Sequence, residues 1–236
     1  AVCPASVPYG RLIDGAHALL RDTGRADDAA TARIAWFLRS PQRLRLLGWL
    51  LVAYRVSGVR WVARSTGMLR ALGLDEADRM AGEARSVPLW KPFYPAVGAE
   101  RGRVALFTGC IARVTDQENL QAAINVLRKL GYGVHVPEGQ GCCGAVDLHA
   151  GRTDQHERAV ERNARAFSGL DVDALVSIAS GCTAVLQQDA GRAGAGLPAV
   201  VDISDFLMQQ EWPSDVRLRS ADADVYLHTP CTLKNA

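Results

Sequence analysis

The sequence predicts an α/β protein with a helical region in front of it. Three observations predict this. Over the first hundred residues apolar positions recur at helical spacing. From Arg103 onward short apolar runs alternate with amphipathic stretches, the grammar of a parallel or mostly parallel sheet. Four of the five apolar runs end in a loop that carries cysteine, usually beside glycine.

Residues 9–22 set Leu12, Ala16, Leu19 and Leu20 near one helix face. A second helix is expected over 28–39, with Ile34, Phe37 and Leu38 as its apolar set. Ser40-Pro41 reads as an N-cap followed by proline at the first helical position, where its missing N–H costs nothing. That helix is expected to run to Ser57-Gly58. A fourth spans 59–72, and a short fifth starts at Asp75. Residues 85–102, with Pro88, Pro92, Pro95, Gly98 and Gly102, read as a linker or extended arm.

The first strand is Val104–Thr108, followed by Gly109-Cys110. Thr115 and Glu118 have the spacing of a capping box for a helix ending at Gly131. Gly133–Val136 is the second strand, and the loop from Pro137 to Gly144 holds Cys142 and Cys143. A polar helix covers 153–168. Ala174–Ile178 is the third strand, with Gly181-Cys182 and a helix after it. Ala199–Ile203 is the fourth, with Ser204 expected to cap a short helix. Asp224–His228 is the fifth, followed by Thr229-Pro230-Cys231. The organisation expected is a helical region over 1–97, an α/β unit over 98–215, and the opening of a second such unit over 216–236.

Composition excludes several classes. Apolar residues make 48% of the 236 and charged residues 22%, a globular mixture rather than a disordered one. The longest uncharged apolar run, Leu46–Tyr54, is far short of the roughly 20 residues of a membrane span. Arginine supplies 24 of the 27 basic residues, but a net charge of +2 carries no nucleic-acid signal. Residues 31–70 hold eight arginines and no acid. They form either a docking surface for an acidic partner or anionic membrane, or solvated helix faces.

Cys110, Cys142, Cys143, Cys182 and Cys231 all follow strands. In open α/β sheets ligands bind outside the carboxyl ends of the strands. One isolated thiol is best read as a small core hydrophobe; five at successive strand ends are not. A disulfide between adjacent Cys142 and Cys143 would be strained. Neighbouring thiols suit a tetrahedral zinc shell poorly. An iron–sulfur cluster offers several metal corners to vicinal thiolates. A short repeat supports two related units, since Val104, Leu106, Thr108 and Cys110 coincide with Val225, Leu227, Thr229 and Cys231 at an offset of 121.

Gly109-Cys110, Gly141-Cys142-Cys143-Gly144 and Ser180-Gly181-Cys182 resemble the CCG cysteine-rich domain. That domain is found in heterodisulfide reductase B subunits, lactate-utilisation proteins and glycolate oxidase (glycolate dehydrogenase) iron–sulfur subunits. The wider stretches are most similar to the glycolate oxidase type, and His228–Leu233 resembles the opening of its second repeat. Ala1-Val2-Cys3-Pro4 resembles the end of a ferredoxin cysteine run. Val185 stands where reductase repeats carry the second cysteine of a CxxC, which favours the glycolate oxidase branch. The resemblance makes the chain a piece truncated at both ends, with 1–97 closing a ferredoxin-type domain.

By this resemblance the protein is an oxidoreductase subunit that holds 4Fe-4S clusters and no catalytic residue of its own. Cys3 would serve a ferredoxin cluster, and Cys110, Cys142, Cys143, Cys182 and Cys231 the CCG site. Flavin-containing subunits would oxidise glycolate to glyoxylate in a hetero-oligomeric complex, and electrons would pass through this chain toward a quinone; the piece alone would be inactive. A lactate-utilisation or reductase-like redox subunit is the alternative within the class. A metal-free scaffold bridging subunits is the alternative outside it. His149 and His228 lie near the cysteine loops, either as hydrogen-bond donors to the site or as solvated loop residues. Free thiols imply a cytoplasmic setting, with at most peripheral membrane association on the inner face.

Overall fold

The computed structural model describes residues 9–25, 29–80, 89–192 and 196–214, together with 224 and 226. Among these described residues six helices come first: α1 (Tyr9–Asp22), α2 (Ala29–Leu38), α3 (Pro41–Val56), α4 (Val59–Ser65), α5 (Met68–Ala71) and α6 (Asp75–Met80). Ser40 caps α3 as expected, its Oγ accepting from Arg43 N at 3.4 Å. The single helix expected over 59–72 is instead two. Gly67 takes φ +70°, a left-handed conformation that breaks the ladder between α4 and α5.

The α/β part follows as β1 (Phe93–Tyr94), β2 (Gly102–Phe107), α7 (Ala112–Thr115), α8 (Gln117–Lys129), β3 (Tyr132–His135), α9 (Ala145–His149), α10 (Thr153–Phe167), β4 (Ala174–Ser177), α11 (Ser180–Ala190), β5 (Val200–Asp202) and α12 (Ile203–Met208). The sheet order is β1-β3-β2-β4-β5, parallel throughout except for β1. This is the mixed α/β architecture expected, with three additions. Residues 93–94, assigned to a linker arm, form an antiparallel edge strand against His135 and Val134. A strand of two residues between Pro92 and Pro95 leaves no periodicity to read. The short helices α7 and α9 are the other two. The fifth strand expected at 224–228 and the second unit fall largely outside the described residues.

Two caps differ from expectation. Thr115 ends α7, and its hydroxyl donates to Ile111 O and Asp116 Oδ2, so the capping box does not form. Asp202, not Ser204, caps α12, with Oδ1 accepting from Ser204 N at 2.9 Å.

Alternation along the strands builds two cores. Val104, Leu106, Val134 and Val176 meet Leu120, Ile124 and Leu127 of α8 and Phe206 of α12 on one face. Ala105, Phe107 and Leu175 meet Phe167 of α10 and Leu186 of α11 on the other. A third cluster joins the helical part to the sheet: Leu38 and Leu44 pack on Cys110, Cys142 and Val114, with Phe37, Leu47 and Leu51 beside them.

Several arginines of 31–70 find their acids outside that segment. Asp78, buried on α6, accepts from Arg60 Nε (3.1 Å), Arg64 Nε (2.7 Å) and Tyr54 Oη (3.1 Å). Asp147, buried on α9, is held by Arg39 through Nε (2.9 Å) and Nη2 (2.6 Å), and by Arg152 Nε (2.7 Å). Arg152 adds a bond to Thr31 O, and Arg162 one to Arg39 O. Arg43 lies over the Trp36 ring. An outward stripe of α3, Leu46, Trp49, Leu50 and Val56, remains exposed, as does Trp61 of α4. Among the described residues no single helix is long and apolar enough to cross a membrane; α3 and α4 reach that composition only as a pair bent by 67°.

Burial alone would raise the Asp147 carboxyl, but Arg39 and Arg152 outweigh it and hold it below the usual carboxylate range. Asp147→Ala leaves two guanidinium groups facing each other without their anion, and should cost about 3–5 kcal/mol in urea unfolding. Because the folded pKa is depressed, the contribution is complete above about pH 4, the ordinary unfolded value. It is lost as pH falls through the lower folded value. Wild-type and variant stabilities should therefore converge in acid.

Candidate functional site

The carboxyl ends of β2, β3 and β4 lie along one edge because these strands are parallel and in register. The chain runs from the central β2 out to β3, then crosses back to β4 on the other side. The loops after β2 and β4 therefore diverge at a topological switch point, where such sheets open a crevice. Cys110 lies in the turn after β2, Cys142 and Cys143 in the loop after β3, and Cys182 in the first turn of α11, just past β4.

All four thiols are free and come together. Cys110 Sγ is 3.6 Å from Cys142 Sγ, and Cys143 Sγ is 3.3 Å from Cys182 Sγ. Cys142 and Cys143 are adjacent in the chain, so the two sulfur pairs share one loop. The hydrogen bond from Cys110 and the neighbouring Cys143 thiol pull the Cys142 thiol down to about 3 against the effect of burial, and Gly144 N–H adds to this at 3.4 Å. Cys182 is lowered by its bond from Cys143, and it occupies a helix N-terminus, where thiolates are favoured. The donors move oppositely: Cys110 and Cys143 are pushed up by these bonds and then by burial.

Two buried amides set the loop. Asn163 of α10 accepts from Gly141 N (2.9 Å) and donates to Cys142 O (3.0 Å). Gln140 accepts from Thr108 N (2.8 Å) and donates to Leu106 O (3.1 Å), which extends the sheet by a side-chain rung. Both are wholly out of water. Gly144 takes φ +85°, and a Cβ there would lie 2.7 Å from His156 Nδ1, so only glycine fits this turn. His156 in turn meets Asp189 at 3.1 Å, both buried.

Sequence reasoning does not single out Asn163 or His156, yet a signal is present. His156, Ala159, Asn163 and Phe167 share the buried stripe of α10, and polar residues on such a stripe need partners. His149, considered for the site, instead places Nδ1 2.9 Å from Asp14 and is largely exposed. Cys3, Cys231 and His228 lie outside the described residues.

The donor set is sulfur only, half of it already favoured as thiolate. Among the described residues no three His, Cys, Asp or Glu side chains converge on the position of one metal ion. That argues against a ready-made mononuclear shell. Cys₄ is the usual ligand set of a multinuclear iron–sulfur cluster, and the four sulfurs fit it by chemistry. The paired thiols must part to hold one, since different irons take different thiolates.

Comparison with known proteins matches residues 104–187 to the cysteine-rich domain family CCG. Residues 28–81 match the linker region of the glycolate oxidase iron-sulfur subunit. The chain is 28% identical to a probable glycolate oxidase iron-sulfur subunit of Bacillus subtilis, over 99% of this chain and 57% of that protein. It is 27% identical to the glycolate oxidase iron-sulfur subunit of Escherichia coli, over 99% of this chain and 56% of the relative. It is 38% identical to a fumarate reductase (CoM/CoB) subunit of Methanothermobacter marburgensis, over 61% of this chain and 28% of the relative. The chain thus spans little more than half the length of these relatives, or less. No solved structure matches it at a significant level.

Asn163→Ala removes both clamps on the loop and leaves a buried N–H and C=O without partners, a cost of about 1–3 kcal/mol. In metal-free protein, Cys142 and Cys143 should then react faster with a thiol reagent, while Cys182 on its helix keeps its rate. Equal rates for all four cysteines before and after the substitution would refute the clamp.

Proposed function

We propose that this chain, which carries a CCG cysteine-rich domain behind a glycolate-oxidase-type linker region, is the electron-transfer part of an iron–sulfur subunit in a glycolate-oxidising complex. The observation that carries the reading is the gathering of four free thiols, three buried and Cys182 partly so, at the switch point of the sheet. Cys110, Cys142, Cys143 and Cys182 would hold the group, with Cys231 of the following unit beside them. Cys3 would belong to a separate ferredoxin-type cluster. An iron–sulfur cluster, when bound there, supplies one-electron transfer, and the 4Fe-4S type suits four thiolates.

The chain's own residues do the rest. Gln140 and Asn163 position the loop, Gly144 lets it turn, and Leu38, Leu44 and Phe37 cover Cys110 and Cys142 from water. Removing two electrons and two protons from glycolate yields glyoxylate. That step belongs to a flavin-containing partner subunit, and this chain would relay the electrons toward a quinone. The exposed stripe of Leu46, Trp49, Leu50 and Val56 is the face this reading offers to the rest of the complex. Buried free thiols suit a reducing compartment, so the complex would sit on the cytoplasmic side, peripheral to the membrane.

Anaerobic iron and sulfide analysis of the full-length subunit tests this. Cys143→Ser should lower iron and sulfide by one cluster and abolish glycolate-dependent dye reduction by the complex, while the flavin-containing subunit still folds. If the variant keeps wild-type metal content, the thiols are packing residues and the chain is a scaffold.

A further inference from the structure

Arg113 stands three residues past Cys110, on α7. Its Nε and Nη2 both donate to Thr108 Oγ1, at 3.2 and 2.6 Å. These bonds fold the guanidinium back over the turn that carries Cys110. The side chain is half-buried, and its surroundings do not neutralise it. Burial disfavours its charge; Cys110 favours it, Arg45 opposes it, and Glu138 adds a weaker attraction. Among the described residues no carboxylate lies within ion-pair distance of it. Arg39, Arg60, Arg64 and Arg152 behave differently, since each reaches a buried aspartate.

A guanidinium drawn out of water beside a neutral hydroxyl is costly unless an anion completes it. We propose that Arg113 is the charge-compensating residue of the thiol site, the counter-ion of the anionic group that four thiolates form with bound iron and sulfide. The inference rests on the iron–sulfur reading above and goes beyond it, because it names what sets the potential of the site. Reduction adds a negative charge. A fixed cation nearby stabilises the reduced form and raises the midpoint potential; net charge is one of the protein's levers on such a group.

The test uses the full-length subunit, purified anaerobically, and a redox titration followed by EPR. The signal absent from Cys143→Ser identifies the site. Arg113→Gln keeps a donor for Thr108 and removes the charge, so its midpoint potential should shift to a more negative value at unchanged iron content. Arg113→Lys keeps the charge and should stay close to wild type. If Arg113→Gln fails to load while Arg113→Lys loads normally, the charge is needed for assembly, which also supports the inference. A loaded Arg113→Gln site at wild-type potential overturns it, as does failure of both variants to load, which would give Arg113 a purely steric role. A wild-type subunit without the signal overturns the iron–sulfur reading itself, and this inference with it.

Discussion

Parallel pairing is the constraint on which the site depends. When strands run the same way, their ends share an edge, and residues far apart in sequence become neighbours. Here β2 leads outward to β3 and the chain must then cross back to β4. The crossing splits the loops above the sheet and opens the space into which Cys110, Cys142, Cys143 and Cys182 point their sulfurs toward one another. An antiparallel meander would have sent alternate loops to opposite ends and scattered the same cysteines.

Gathering thiols creates a second problem, that of covering them. The sheet supplies only the floor. The cover comes from α2 and α3, whose Leu38 and Leu44 pack directly on Cys110 and Cys142. Apolar contact alone does not orient these helices. Arg39, just past the end of α2, spans the junction and grips both oxygens of Asp147 on α9, and Arg152 adds a bond to Oδ1 of the same carboxylate. Asp147 lies four residues past Cys143, so the ion pair and the thiol loop are mechanically one piece. The helical region is thus part of the site rather than a tether to it.

Charge is distributed by the same logic. The acid-free stretch 31–70 looks like a basic surface when written out in one dimension. In the fold, Arg39, Arg60 and Arg64 reach inward to Asp147 and Asp78, and Arg43 stacks on Trp36. What remains outside on α3 is chiefly apolar. The outer face of α3 is therefore a surface for contact more than for electrostatic attraction.

The sequence alone determined the class of fold, the helices α1–α3, α6, α8 and α10–α12, the parallel strands β2–β5, and the placing of Cys110, Cys142, Cys143 and Cys182 just after those strands. These are properties of local periodicity and of cysteine placed beside glycine at strand ends, and local signals survive in a linear text. It marks α10 only as a polar helix, and leaves His156 and Asn163 indistinct among the other polar residues there. Tertiary structure alone decided the rest. Gly67 divides a helix that composition would have continued. Phe93 and Tyr94 pair only because His135 and Val134 offer them an edge. Asp202 rather than Ser204 caps α12 because the helix starts at Ile203, which puts Ser204 inside the first turn as the donor. The partners of Asp147, Gln140 and Asn163 lie as far as 108 positions away, and several are single backbone atoms, so no periodic pattern encodes them. A hydrogen bond is specified by where two atoms arrive, and that is known only when the chain has folded.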